Sequence, residues 1–319
     1  MMIIPFIFTW TLIMSLFIAM SSSSLFFLWI SLEVNMMSFI PLMYLKNSLT
    51  MNSIVLYFLV QSFASSIYIF SISMYLFNPP LMKFLPILIS LSMLMKLGAA
   101  PFHMWFPQVS EGLSFNSFTI LLTIQKMIPL HILSIFKNNV LFISIILSAL
   151  IGSLGGFNQF SLRKILSFSS ISHLSWMLTL LMFNSNFWMI YLFIYSLIMK
   201  LMMFPINFYM MNYINYNKKI NNNTSMLIII SFLSLGGMPP TMGFMMKWLS
   251  LKIIASYSLT MAIPLIISSL INLFFYLRLI YVFLLKNMIN NKWEKSKSNK
   301  ILMITIVLSL SIFLLISQI

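Results

Sequence analysis

The sequence predicts an all-α, polytopic membrane protein of about eleven transmembrane helices, and three observations lead there. Of 319 residues, 61% are hydrophobic and only 7% charged, against roughly 25% charged in an ordinary soluble domain. Apolar runs long enough to span a bilayer, about 20 residues at 1.5 Å rise, recur along the whole chain. The connections between them are short, so no soluble domain fits anywhere. Eighteen basic and three acidic residues give a formal charge of +15. Such an excess can mark nucleic-acid binding, but here it lacks basic clusters on a polar scaffold.

Runs separated by Asn, Pro, Ser or Lys clusters place the spans near 2–20, 24–45, 52–77, 83–107, 115–136, 138–157, 165–183, 187–211, 226–255, 257–285 and 301–318. The serines at 21–24 and the segment 184–186 are typical connections. The longest connection is 286–300, KNMINNKWEKSKSNK, which is polar throughout. Met1 runs into an apolar stretch without a basic region or small-residue cleavage site, so no cleavable leader is expected. An odd number of spans puts the termini on opposite faces. The N-terminal face then carries Lys46, Arg163, Lys164, Lys218, Lys219, Lys286, Lys292, Lys295, Lys297 and Lys300, against Lys83, Lys137 and Lys252 opposite. That asymmetry places the N-terminus on the cytoplasmic side or its organellar equivalent, the matrix.

Two spans are interrupted. The fourth reads MKLGAAPFHMWFP and the ninth SLGGMPPTMGF, and prolines inside an apolar run should unwind both locally. Unwound backbone at membrane depth survives only inside protein or beside water, so the breaks mark interior polar cavities; kinks that merely shape packing are the plain alternative. The breaks lie five spans apart, which divides one membrane domain into a first repeat over 1–136 and a second, inverted five-helix repeat over 138–285. Residues 286–319 supply the polar connection and a last helix. Lys96 and Lys247, in the broken spans, are 151 positions apart (247 − 96), and Lys126 and Arg278 are 152 apart (278 − 126). Inverted repeats with paired discontinuous helices characterise ion-translocating folds.

Charges inside the bilayer cost about 2.5–3.5 kcal/mol each even on the lenient insertion scale, so they rarely persist without a role. Glu33 is the single acid inside any span. It is read as a proton-binding carboxylate governed by a neighbouring lysine, or as a neutral acid bonded to its helix backbone. A lysine in water holds its proton too tightly to exchange it at neutral pH, whereas a desolvated one releases it far more readily. Lys96, Lys126 and Lys247 are candidates of that kind, the alternative being that they snorkel to the interface. His173 could relay protons or be a satisfied interior histidine. Arg278 keeps its proton and would anchor a helix or fix the field. His103 and His131 are read as structural, and Lys200 has no evident partner.

No glycine-rich nucleotide loop or Walker motif appears, no paired carboxylates suggest hydrolysis, and three histidines do not make two haem-ligating pairs. Zero cysteines exclude disulfides, thiolate zinc and iron–sulfur ligation. Redox chemistry is not expected in this chain; proton handling is. Thirty Met and 31 Phe beside eight Gly fit an AT-rich, organelle-encoded gene.

The segments WISLEVNMMSFIPLM, MKLGAAPFHMWFPQV, LLTIQKMIPL, LRKILSFSSISHLSWM, LSLGGMPPTMGFMMKW and NLFFYLRLIY occur in one order between about residues 25 and 285. Together they resemble the animal mitochondrial NADH–ubiquinone oxidoreductase subunit 2 family, in its shortened, insect-like form. The resemblance implies an antiporter-like subunit of the membrane arm of respiratory complex I in the mitochondrial inner membrane. It implies two inverted five-helix repeats, a midplane chain of polar residues and a matrix N-terminus with the C-terminus in the intermembrane space. The family's proton-path acid falls on Glu33, its lysines on Lys96, Lys126 and Lys247, and its histidine on His173. Other membrane-arm subunits and lipids are the implied partners, with no nucleic acid and no cofactor bound by this chain. NADH and ubiquinone would be substrates of the whole complex. The chain departs from many relatives at Gln108, where they carry an acid, although Glu111 follows three residues later. Two rival functions remain: a free-standing cation/proton antiporter, against which the absence of any Asp speaks, and a passive spacer whose charges serve packing.

Overall fold

The computed structural model describes residues 3–77, 84–183, 186–209, 222–239 and 241–289. All the elements among them are helices. The first three expected spans form α1 (Ile3–Ser21), α2 (Leu25–Met43) and α3 (Ser48–Phe77). The fourth is split into α4 (Leu85–Leu97) and α5 (Trp105–Gly112), and the fifth into α6 (Phe115–Leu122) and α7 (Ile124–Ile135). Then come α8 (Val140–Phe157), α9 (Leu162–Met182), α10 (Phe187–Tyr209), the divided pair α11 (Asn222–Gly236) and α12 (Met242–Tyr257), and α13 (Leu259–Ile289). By length and composition, seven described helices suffice to cross a membrane, with α6 and α7 taken together as one. The expected eleventh span, residues 290–300 of the connection before it, and Lys83, Lys218 and Lys219 lie outside the described residues.

The two expected breaks share one backbone device, and glycine rather than proline ends each helix. Gly98 adopts φ 65° and Gly237 φ 81°, a left-handed conformation that glycine alone enters without steric cost. The N–H groups of Gly98 and Ala99 donate back to Met95 and Leu94, and those of Gly237 and Met238 to Ser234 and Leu233. This double closure satisfies carbonyls that the helix end leaves free. Pro101 and Pro239 follow, where a helix could not resume at once.

A third break was not foreseen, since 115–136 reads as one continuous span. It falls at Thr123 (φ −119°, ψ −75°), whose hydroxyl bonds back to Thr119 O at 2.7 Å. Such back-bonding bends helices. Pro129 sits inside α7 without dividing it.

α9 is the buried centre of the molecule, packed by α5, α7, α8, α10, α12 and α13. It is also the most polar of the long helices, with Ser167, Ser169, Ser170, Ser172, Ser175 and Thr179 all fully buried. Each hydroxyl donates to a carbonyl three residues earlier, so none is stranded in the interior. α8 approaches α9 closely through small residues. A Cβ added at Gly152 would lie 2.6 Å from the Ser172 nitrogen, which is the close backbone approach that membrane helices use in place of a hydrophobic driving force.

The packing pattern recurs along the chain. α1 lies on α2, α2 on α3, and α3 on α4 and α5, while α7 touches α1, α2 and α4. In the same order α8 lies on α9, α9 on α10, and α10 on α11 and α12, while α13 touches α8, α9 and α11.

Candidate functional site

The five candidate residues fall on five helices that surround the interior. Glu33 lies on α2 and is half-buried. Lys96, on the last turn of α4, is 6% exposed, Lys126 on the first turn of α7 1%, His173 on α9 1%, and Lys247 on α12 7%. These exposures decide against snorkelling, because an amine reaching the interface would leave its end uncovered.

Two groupings result. Glu33 is the charge whose field reaches Lys96. Near them Gln125 donates to Asn35 Oδ1 at 2.9 Å and accepts from the Tyr57 hydroxyl at 3.2 Å. The end of α4 is closed by neutral donors: Gln61 to Lys96 O at 3.2 Å and Trp105 Nε1 to Met95 O at 3.1 Å.

The second grouping holds Lys126, His173 and Lys247. The Lys126 ammonium donates to Ser170 O at 3.3 Å and faces the Phe106 and Tyr195 rings, 5.2 and 5.8 Å from their centroids. Aromatic faces attract a cation without binding its protons as a carboxylate would. Tyr195 is shared, since its ring centroid is 5.1 Å from that of His173. His173 Nδ1 contacts the Tyr191 hydroxyl at 2.8 Å, and charges on both Lys126 and Lys247 act on the imidazole. Lys247 donates to Gly236 O at 2.8 Å and Leu235 O at 3.2 Å. Those are terminal carbonyls of α11, where the helix dipole favours a cation. Gly237 makes the approach possible: a Cβ there would meet Lys247 Cδ at 2.9 Å.

Four buried polar atoms in this second region have no hydrogen bond: His173 Nε2, Asn272 Oδ1 and the hydroxyls of Tyr195 and Tyr276. The two hydroxyls look toward Ser170 and Ser169 but fall short of hydrogen-bonding geometry. Asn272 spends its amide on Ser172 Oγ at 2.6 Å. Buried groups of this kind are rare in folded proteins, and each calls for a specific explanation.

Known proteins share the sequence and the fold. The family described as NADH:quinone oxidoreductase/Mrp antiporter, transmembrane, matches residues 75–272. NADH-ubiquinone oxidoreductase chain 2 of Anopheles gambiae is 44% identical, over 94% of this chain and 92% of its own. The chain belongs to the NADH-ubiquinone oxidoreductase chain 2 family. Chain 2 of Rhipicephalus sanguineus is 40% identical over 95% of this chain and 99% of its own. A chain of respiratory complex I from Thermus thermophilus superposes with TM-score 0.83 at 19% identity, over 98% of this chain and 78% of that one. At that identity the superposition speaks for the fold alone, and it is an all-helical fold shared with complex I.

Within that family fold four further charges, Arg278, Glu111, Lys164 and Arg163, tie helix ends together. Arg278 donates to Phe157 O at 2.8 Å and Gln159 O at 3.0 Å, tying α13 to the end of α8. Glu111 pairs with Lys164 at 2.8 Å, and Arg163 donates to Glu111 O at 2.6 Å. Glu111 thus joins the end of α5 to the start of α9 and stays outside both interior groupings. The residues that sequence reasoning passed over are uncharged: Asn35, Gln61, Gln125, Tyr191, Tyr195, Asn272 and Tyr276. The amides had a signal, being Asn or Gln inside apolar spans. The tyrosines had none, because an interior tyrosine reads as core.

Proposed function

We propose that this chain is a core membrane-arm subunit of proton-translocating NADH:ubiquinone oxidoreductase in the mitochondrial inner membrane. Its own work is proton movement along Glu33, Lys96, Lys126, His173 and Lys247, with redox chemistry and its cofactors in other subunits. The single observation that carries this reading is that three buried lysines, Lys96, Lys126 and Lys247, each stand beside a helix break, with the acid Glu33 on α2 acting on the first of them. Other membrane-arm subunits and lipids are the partners, and NADH and ubiquinone are substrates of the assembled enzyme.

The chemistry follows from crowding like charges in a poorly screened interior. Coulomb repulsion scales inversely with dielectric constant and distance, so a proton on Lys126 opposes one on Lys247 through His173 between them. Protonation of the two should alternate, as should pairing between Glu33 and Lys96, with water completing the bonds that His173 Nε2 and Asn272 Oδ1 lack. The lysines differ in how they are held. Lys247 rests on two terminal carbonyls of α11, whereas Lys126 has one carbonyl and two ring faces.

The finer architecture belongs to the same proposal: eleven spans, with inverted five-helix repeats at 1–136 and 138–285 and the last helix after the 286–300 connection. The recurring packing pattern and the matched breaks at Gly98 and Gly237 support it. The excess of Lys and Arg on one side supports a matrix N-terminus and an intermembrane-space C-terminus, and the polar connection suits anionic lipid or a neighbouring subunit. A stand-alone antiporter is not favoured, since the relatives that match nearly end to end are complex I chains.

The test is coupled turnover and pumping in the assembled complex carrying Lys126→Met or Glu33→Gln. Both should lower NADH–quinone turnover and the protons moved per NADH. Normal pumping in fully assembled variants would remove the proton-path role. Loss confined to assembly, with intact activity per assembled complex, would favour a passive spacer.

A further inference from the structure

Lys200 takes no part in either interior grouping. It lies on α10 (Phe187–Tyr209) and is exposed on the outside of the bundle. Its companions on that face are apolar and equally bare: Phe193 is 61% exposed, Leu201 52%, Phe204 77% and Phe208 76%. An apolar stripe on a spanning helix suits lipid or another helix; a lysine within it suits neither bare lipid nor an apolar helix.

Depth makes the problem acute. α10 has 23 residues, so it spans about 34 Å at 1.5 Å per residue, close to the hydrocarbon thickness. Lys200 is its fourteenth residue, roughly 14 Å of rise from the nearer, C-terminal end. Side chains on a helix lean toward the N-terminus, so this one leans toward the farther interface. Snorkelling therefore works against its geometry. Neither described acid serves it: Glu111 is committed to Lys164, and Glu33 sits on α2, whose neighbours are α1, α3 and α7; the third acid, Glu294, lies outside the described residues. The last expected span, 301–318, contains no acidic residue.

We propose that the outer face of α10 around Lys200 is an interface for a transmembrane helix of another subunit, one that presents a carboxylate at mid-depth flanked by apolar residues. Charge complementarity selects that occupant. A carboxylate satisfies the ammonium in the absence of water, and the surrounding Phe193, Leu201 and Phe204 pack against the partner's apolar face. The proposal rests on α10 crossing the bilayer within an assembly, but not on proton conduction through the interior.

The intact membrane complex tests it. A map of the assembled enzyme should place Lys200 Nζ within ion-pair distance of an Asp or Glu on another chain. Dicyclohexylcarbodiimide, which activates intramembrane carboxylates, should then join Lys200 to that acid in an isopeptide visible by mass spectrometry. Lys200→Glu should lose most of the intact complex on a native gel, and Lys200→Arg should retain it. Proton pumping per surviving Lys200→Arg complex should be unchanged, which separates this claim from the proton path. An ammonium found against a lipid phosphate, in a water-filled recess or under residues 290–319 of its own chain would overturn the proposal. So would full assembly of Lys200→Glu.

Discussion

Lys247 shows how one side chain can be set by the backbone around it. Its ammonium rests on the final carbonyls of α11, and a Cβ at Gly237 would stand 2.9 Å from its Cδ. Gly237→Ala should therefore act twice. Left-handed backbone costs a non-glycine residue about 1–2 kcal/mol, and the new methyl displaces the lysine from its carbonyls. Pumping by the assembled complex should fall well below wild type; unchanged pumping in Gly237→Ala would detach the break from the lysine. Lys126→Met should be harsher, lowering coupled turnover by about a hundredfold or more, the scale on which a positioned proton-transfer group contributes. Glu111→Gln, by contrast, should be nearly silent. Its pair with Lys164 has 31% and 44% of the two side chains exposed, and such pairs are worth about 0–1 kcal/mol. Assembly and turnover within error of wild type are expected, and a clear pumping defect would give Glu111 a part in the proton path.

Among the helices, sequence and structure agree where apolar period and helix stop signals coincide, as at α8, α9 and α10. The breaks at Gly98 and Gly237 were legible because glycine and proline stand together, although the residue that stops each helix is the glycine. The break at Thr123 was not legible: threonine inside an apolar run has several ways to satisfy its hydroxyl, and only the fold shows it bonding back to Thr119. The contact between α8 and α9 gives an element-scale prediction. Gly152→Ala places a methyl 2.6 Å from the backbone nitrogen of Ser172, where no flexible side chain can yield. Overpacking of this kind costs about 1–3 kcal/mol, so the assembled complex should inactivate at lower temperature. An unaltered thermal profile would mean that the two helices are free to separate.

Across the whole molecule, the charged members of the candidate site could be found in the sequence because lipid makes charge rare: few charges fall inside spans, and Lys96, Lys126 and Lys247 prove to be interior. The uncharged links were hidden, since Tyr191, Tyr195 and Tyr276 acquire meaning only when α10 and α13 close on α9. Tyr195 stands beside both Lys126 and His173, and Tyr191 bonds His173; water must complete the path if protons travel along it. The direct measurement is a map of the assembled complex at a resolution that shows ordered water between Lys126 and Lys247. The expected result is a chain of waters past His173 and Asn272, with Nε2 of the first and Oδ1 of the second hydrogen-bonded to them. A dry, closely packed interior in every state of the working enzyme would contradict proton movement through this chain.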